Sequence, residues 1–128
     1  MKDQTTTIEQ SCRLLELGVP AKAASMCWVK DPNEGEYSLC VHDEFCYEVA
    51  ALEPVPAFTV ADLQEMLPDK ISCESEFDGR FRIWRYAGDE RIYWIIDYDV
   101  FVFTDTNLID ALIQTIEWLL TNEHGLWI

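Results

Sequence analysis

Leu108, Ile109, Leu112, Ile113, Ile116, Leu119 and Leu120 recur at helical spacing within residues 107–122 and lay down a broad apolar stripe. A stripe this wide cannot face water, so the chain must supply a surface for it to lie on. Three strand-like runs precede it at hairpin spacing, near 71–76, 80–86 and 91–98, and these supply a sheet. Helix plus consecutive antiparallel strands defines an α+β class. We expect a single domain over residues 1–128, with an antiparallel β-meander packed against three to four helices.

The remainder of the chain fits that frame. Thr6 and Glu9 have capping-box spacing at the start of a helix over 6–17, in which Ile8, Cys12 and Leu15 share a face and Gly18 offers a left-handed stop. Pro20 suits the first turn of a second, short helix through Met26. Residues 27–29 and 37–41 read as strands flanking the turn-forming Asp31-Pro32-Asn33-Glu34-Gly35, and 46–51 as a weaker strand. Glu53-Pro54-Val55-Pro56 reads as a break too short to separate domains. Thr59 and Asp62 start a helix carrying Val60, Leu63, Met66 and Leu67 that Pro68 ends, and Gly125 can terminate the last helix.

The first C-terminal hairpin admits two registers. A three-residue loop, Phe77-Asp78-Gly79, pairs Glu76 with Arg80, Glu74 with Arg82, Ser75 with Phe81 and Cys73 with Ile83. A two-residue Asp78-Gly79 turn opposes the glutamates to Phe81 and Ile83 instead. The first is preferred, since opposite charges across strands contribute about 0.2–1 kcal/mol per pair. Continued through residues 87–90, it places Phe81, Ile83, Ile92, Trp94 and Ile96 on a core face, with Arg85 sharing that face at an exposed end. The other face then carries Arg80, Arg82, Trp84, Tyr86, Arg91, Tyr93 and Ile95.

Composition narrows the function. The 128 residues carry 24 acidic and 9 basic side chains, a formal charge of −15, yet 49% are hydrophobic. That is too apolar for a disordered acidic tail, and a chain of this length buries roughly two thirds of its unfolded surface. Direct binding to nucleic-acid phosphates or anionic lipid is disfavoured, because both need clustered Lys and Arg. No signal-peptide core and no membrane span is evident, so a cytoplasmic protein is expected. The five cysteines, Cys12, Cys27, Cys40, Cys46 and Cys73, are an odd set without framework spacing and read as reduced thiols.

The aromatic and basic face is the best binding candidate, because Trp, Tyr and Arg dominate interface energetics; Arg80, Arg82, Trp84, Tyr86, Arg91 and Tyr93 are its members. The alternative is that a helix or the N-terminal strands cover it. Cys40, His42 and Cys46, with Cys27 upstream, superficially suit zinc, but their spacing lacks paired short ligand units, so no metal or other cofactor is expected. His42-Asp43-Glu44 beside a cysteine reads as a solvated loop rather than a nucleophile and base. His124 suits the C-terminal end of the last helix. Asp97, Asp99 and Asp105 lack the glycine and terminal glutamate of a calcium loop, and strand-edge and helix-start charge explains them as well. The terminal Leu126-Trp127-Ile128 must pack in this subunit or in another, which leaves a homodimer open.

Leu14-Leu15-Glu16-Leu17-Gly18, Ala24-Ser25-Met26-Cys27-Trp28, Pro56-Ala57-Phe58-Thr59-Val60-Ala61-Asp62-Leu63 with Met66-Leu67-Pro68, and Asp110-Ala111-Leu112 with Trp118-Leu119-Leu120 resemble, in order, a group of small uncharacterised proteins encoded in bacterial genomes, prophages and other mobile elements. The resemblance implies a phage or mobile-element setting and carries over no catalytic residue. Residues 30–51 lie outside it. The expectation is a non-enzymatic accessory protein that binds another protein. The competing readings are an acidic mimic of nucleic acid that inhibits a DNA-binding protein, and a small hydrolase-like enzyme.

Overall fold

A computed structural model describes residues 4–41, 53–71, 79–98, 102–122 and 124–126. The protein is α+β, with two antiparallel three-stranded sheets. It divides into two compact units, Met1–Asp62 and Leu63–Trp127.

In the first unit, α1 spans Ile8–Glu16 and is capped by Thr7, one residue later than the Thr6/Glu9 spacing suggested. Thr7 Oγ1 accepts the Gln10 N–H at 3.1 Å, and Gln10 Oε1 accepts the Thr7 N–H at 2.9 Å. Thr6 is instead buried, its hydroxyl 2.7 Å from Ser11 Oγ and accepting the Phe58 N–H at 3.0 Å. This anchoring sets the phase of the helix. Ser11 and Leu14 turn inward, whereas Cys12 and Leu15, expected on the buried side with Ile8, face out.

The helix stops as expected at Gly18, which sits at φ +101° where a side chain would be strained. Gly18 N–H donates to Leu15 O at 3.0 Å and Val19 N–H to Leu14 O at 3.0 Å, the paired bonds of a Schellman end, with Leu14 and Val19 both buried. Beyond Pro20 there is no second α-helix. A single 3-10 turn, Ala21–Ala23, leads into β1, Met26–Lys30. Met26 is claimed by the sheet on both sides, opposite Val41 and opposite Ala57, and a segment this short cannot nucleate a helix against that competition.

β1 pairs with β2, Tyr37–Val41, as the sequence suggested, and Asp31 closes the loop between them by accepting the Asn33 and Glu34 N–H groups. The sheet order β2-β1-β3 adds a strand where the prolines indicated a break: β3 is Val55–Ala57. Pro56 is tolerated because β3 is an edge among the described strands, a position where a missing N–H need remove no ladder bond. The weaker strand expected over 46–51 lies outside the described residues. Thr59 and Asp62 cap α2, Val60–Met66, reciprocally, the Asp62 N–H donating to Thr59 Oγ1 at 3.1 Å and the Thr59 N–H to Asp62 Oδ2 at 2.9 Å. The division between the units falls within α2.

The second unit holds an antiparallel meander as expected, but of other strands: the runs near 80–86 and 91–98 are strands, the run near 71–76 lies outside the described residues beyond Ile71, and a third strand at 102–105 was not expected. β4 (Arg82–Ala87), β5 (Ile92–Asp97) and β6 (Val102–Asp105) form a sheet in that order, and α3 (Leu108–Thr121) lies against β5 and β6. Asn107 caps α3 by accepting the Asp110 N–H. The buried positions of α3 add Ala111 and Thr115 to the expected stripe, an arc of roughly 200° at 100° per residue. Tyr98, fully buried, donates its hydroxyl to Pro68 O at 2.8 Å and packs at 5.5 Å from Phe81. Burial drives its phenol well above the ordinary range.

The preferred register of the preceding hairpin is corrected. Arg80 stands opposite Lys70, not Glu76, with the Ile71 N–H donating to Gly79 O and the Phe81 N–H to Asp69 O. Arg82 is opposite Asp97 of β5. The magnitudes explain the outcome: a cross-strand charge pair contributes at most about 1 kcal/mol, whereas burying an isoleucine contributes about 1.5–3 kcal/mol, and Ile71 is buried in the observed pairing. Among the described residues no helix is long and apolar enough to cross a membrane.

Candidate interaction surface

The register of β4 with β5 pairs Arg82 with Asp97, Ile83 with Ile96, Trp84 with Ile95, Arg85 with Trp94, Tyr86 with Tyr93 and Ala87 with Ile92. Opposed residues share a face, so the division of side chains expected from the sequence holds through the hairpin. Ile83, Arg85, Trp94 and Ile96 lie on the side that α3 covers near Ile96 and Phe103. Arg82, Trp84, Tyr86, Tyr93 and Ile95 lie on the other. β6 adds Val102 and Thr104 to that second face, through its pairing with Asp97 and Ile95. β6 was not read from the sequence: the run Val100-Phe101-Val102-Phe103 is continuously apolar and lacks the apolar/polar alternation that marks a half-buried strand.

The second face is open at its β4 side. Trp84 is 41% and Tyr86 57% exposed, and Val102 on β6 is 53% exposed. Tyr93 and Ile95 between them are half-buried. Arg82 is exposed alongside Trp84, while Arg80 and Arg91 are exposed at positions flanking β4 and β5 rather than within them. Arg91 belongs to the turn, where its carbonyl accepts the Gly88 N–H at 2.8 Å. A Cβ on Gly88 would lie 3.1 Å from the Tyr93 ring, so the glycine lets that ring close over the turn.

One core expectation fails in a way that enlarges the surface. Ile92, placed on the core face by parity, is 53% exposed, because it lies at the hairpin's turn end, opposite Ala87, away from Ile96. Arg85, expected at an exposed end, is exposed, and its guanidinium lies 5.6 Å from the Trp94 ring, covering the indole. The turn end of the hairpin therefore shows apolar or aromatic groups on both faces, Trp84 and Tyr86 on one and Ile92 on the other.

The remaining candidates do not assemble. Asp97 lies on the face of Arg82 and Trp84, whereas Asp105 is opposite Trp94 on the reverse face. Asp105 accepts the Asn107 N–H at 3.0 Å and the Gln114 side-chain amide at 3.0 Å, serving the start of α3. Asp99 lies outside the described residues, as do His42, Cys46 and Cys73. Cys40 stands opposite Cys27 in the β1–β2 pair. Among the described residues no group of three or more His, Cys, Asp and Glu could hold a metal ion.

His124 closes α3, its N–H donating to Leu119 O at 2.9 Å while its ring stacks on Trp118 at 5.1 Å. Trp127 and Ile128 lie outside the described residues. No protein-family model, curated protein or solved structure matches the chain.

Proposed function

We propose that the chain is a non-enzymatic accessory protein of phage or mobile-element type that binds a second protein through the turn end of the β4–β5 hairpin. The observation that carries this reading is the exposure of Trp84 and Tyr86, neighbours on one face of β4, with Ile92 exposed on the reverse. Large aromatic side chains on a rigid two-stranded support lose little rotamer freedom on binding and bury much apolar area, which is what interface anchors require. Arg82 and Arg91 beside them supply directional donors. The phage or mobile-element setting rests on the resemblance of the segments from Leu14 to Leu120.

Affinity capture from a host expressing the tagged protein, wild type against a Trp84→Ala/Tyr86→Ala double variant, tests the reading. A partner retained by wild type should fall at least roughly tenfold in the variant, as expected for losing two interface anchors. Unchanged capture would sink the proposal. Repeating the capture across salt concentrations separates the mimicry reading. A DNA-binding protein held independently of Trp84 and Tyr86, and released steeply by salt, would move the binding to the carboxylate surface, where every described acidic side chain except Asp62 is at least partly exposed.

A further inference from the structure

A groove of about 300 Å³ runs between β6 and the second half of α3, lined by Phe103, Gln114, Glu117, Trp118, Thr121 and Asn122. It is remote in the sheet from Trp84 and Tyr86: Phe103 projects from the α3-covered face of β6, the opposite face of the sheet from those two residues. Among the described residues, no Lys or Arg lines it. Its lining is two aromatic rings, one carboxylate, one hydroxyl and two amides, so the only formal charge among these lining residues is the negative one of Glu117.

Gln114 directs its amide NH₂ to Asp105 Oδ2 at 3.0 Å, and Asn122 directs its NH₂ to Trp118 O at 2.8 Å. In each case one of the two amide N–H groups is committed to a protein acceptor, which leaves the carbonyl oxygen and one N–H of each amide for a ligand. With the Glu117 carboxylate, the groove is rich in acceptors. The π faces of Phe103 and Trp118 attract cations and repel anions. The Trp118 plane is held in place by the stacked His124 ring, with only 12° between the two planes.

We infer that this groove binds the guanidinium of an arginine side chain presented by a basic segment of a partner protein. Guanidinium is donor-only, planar and weakly hydrated, so it can stack on an indole while directing N–H groups to Glu117 and the amide carbonyls. An ammonium ion matches the charge but not the plane, and it is more strongly hydrated. The formal charge of −15 brings a basic segment to this surface in the first place. The site is independent of the hairpin surface, and either can fail without the other.

The probe is a capped Gly-Arg-Gly peptide titrated into the full-length protein, read by the indole N–H resonance of Trp118, which is assigned by its loss in Trp118→Phe. A saturating shift in the millimolar range is expected, since a single side chain supplies few contacts. The citrulline peptide, which keeps the shape and removes the charge, should bind at least roughly tenfold more weakly, and Glu117→Gln should weaken the arginine peptide by a similar factor. Three results would each overturn the inference: no saturable shift, equal binding of citrulline, or a lysine peptide binding as tightly as arginine. The peptide exchange leaves the protein untouched, so its outcome does not depend on how any variant folds.

Discussion

Asp62 is the one buried carboxylate among the described residues, and it is fully occupied: it accepts the backbone N–H and the hydroxyl of Ser25 and the N–H of Thr59. Replacing it with alanine strands two backbone donors at once. Asp62→Ala should cost about 2–4 kcal/mol in a urea unfolding experiment, well beyond a surface substitution. Tyr98 gives a pH test. Its phenol is raised above the ordinary value of 10.0, so the folded state keeps the proton longer than the unfolded chain does. The associated stability is complete below about pH 10 and drains away as the pH climbs above it. Tyr98→Phe should therefore lose about 1 kcal/mol near neutrality, from the orphaned Pro68 carbonyl, and show a shallower decline in alkali when melting temperatures are compared across pH.

The elements show how far periodicity reaches. The stripe of α3 was readable because a helix of this length repeats its signal through several turns. The face assignment of β4 and β5 was equally readable, since parity is a property of adjacent residues. α1 was read one residue out of phase, because Thr6 and Thr7 are chemically equivalent cap candidates and it takes the bonds of Thr6 to Phe58 and Ser11, and of Thr7 to Gln10, to tell them apart. The two threonines should separate by experiment. Thr7→Ala removes a cap and should cost about 1 kcal/mol. Thr6→Ala leaves the buried Phe58 N–H without its hydroxyl acceptor and should cost more, about 1–3 kcal/mol, measured by the same denaturant titration. β3 was hidden by its own prolines, which signal a loop to any local reading and are tolerated where, among the described residues, β1 pairs on one side and no named strand on the other.

At the scale of the molecule, every described acidic side chain except Asp62 is at least partly exposed, while the basic residues after Lys70, namely Arg80, Arg82, Arg85 and Arg91, all belong to or flank the β4–β5 hairpin. Composition announced that asymmetry, and register arithmetic placed Trp84 and Tyr86 beside Arg82 on one face. Neither could say whether the face was covered, nor that Ile92 emerges on the reverse, because exposure depends on what packs from elsewhere in the chain. The groove of Phe103, Glu117 and Trp118 was likewise invisible, since its walls come from a strand and a helix brought together by folding. What the sequence determined by itself is the α+β class, the last helix, the β4–β5 hairpin and the partition of its side chains, all of which rest on short-range periodicity and capping. What only the tertiary structure decided is the pairing of Lys70 with Arg80, the edge strand β3, the phase of α1 and the exposure of the hairpin's turn end. Those depend on burial of particular side chains against distant partners, whose free energies exceed the local charge and turn preferences that a linear reading can weigh.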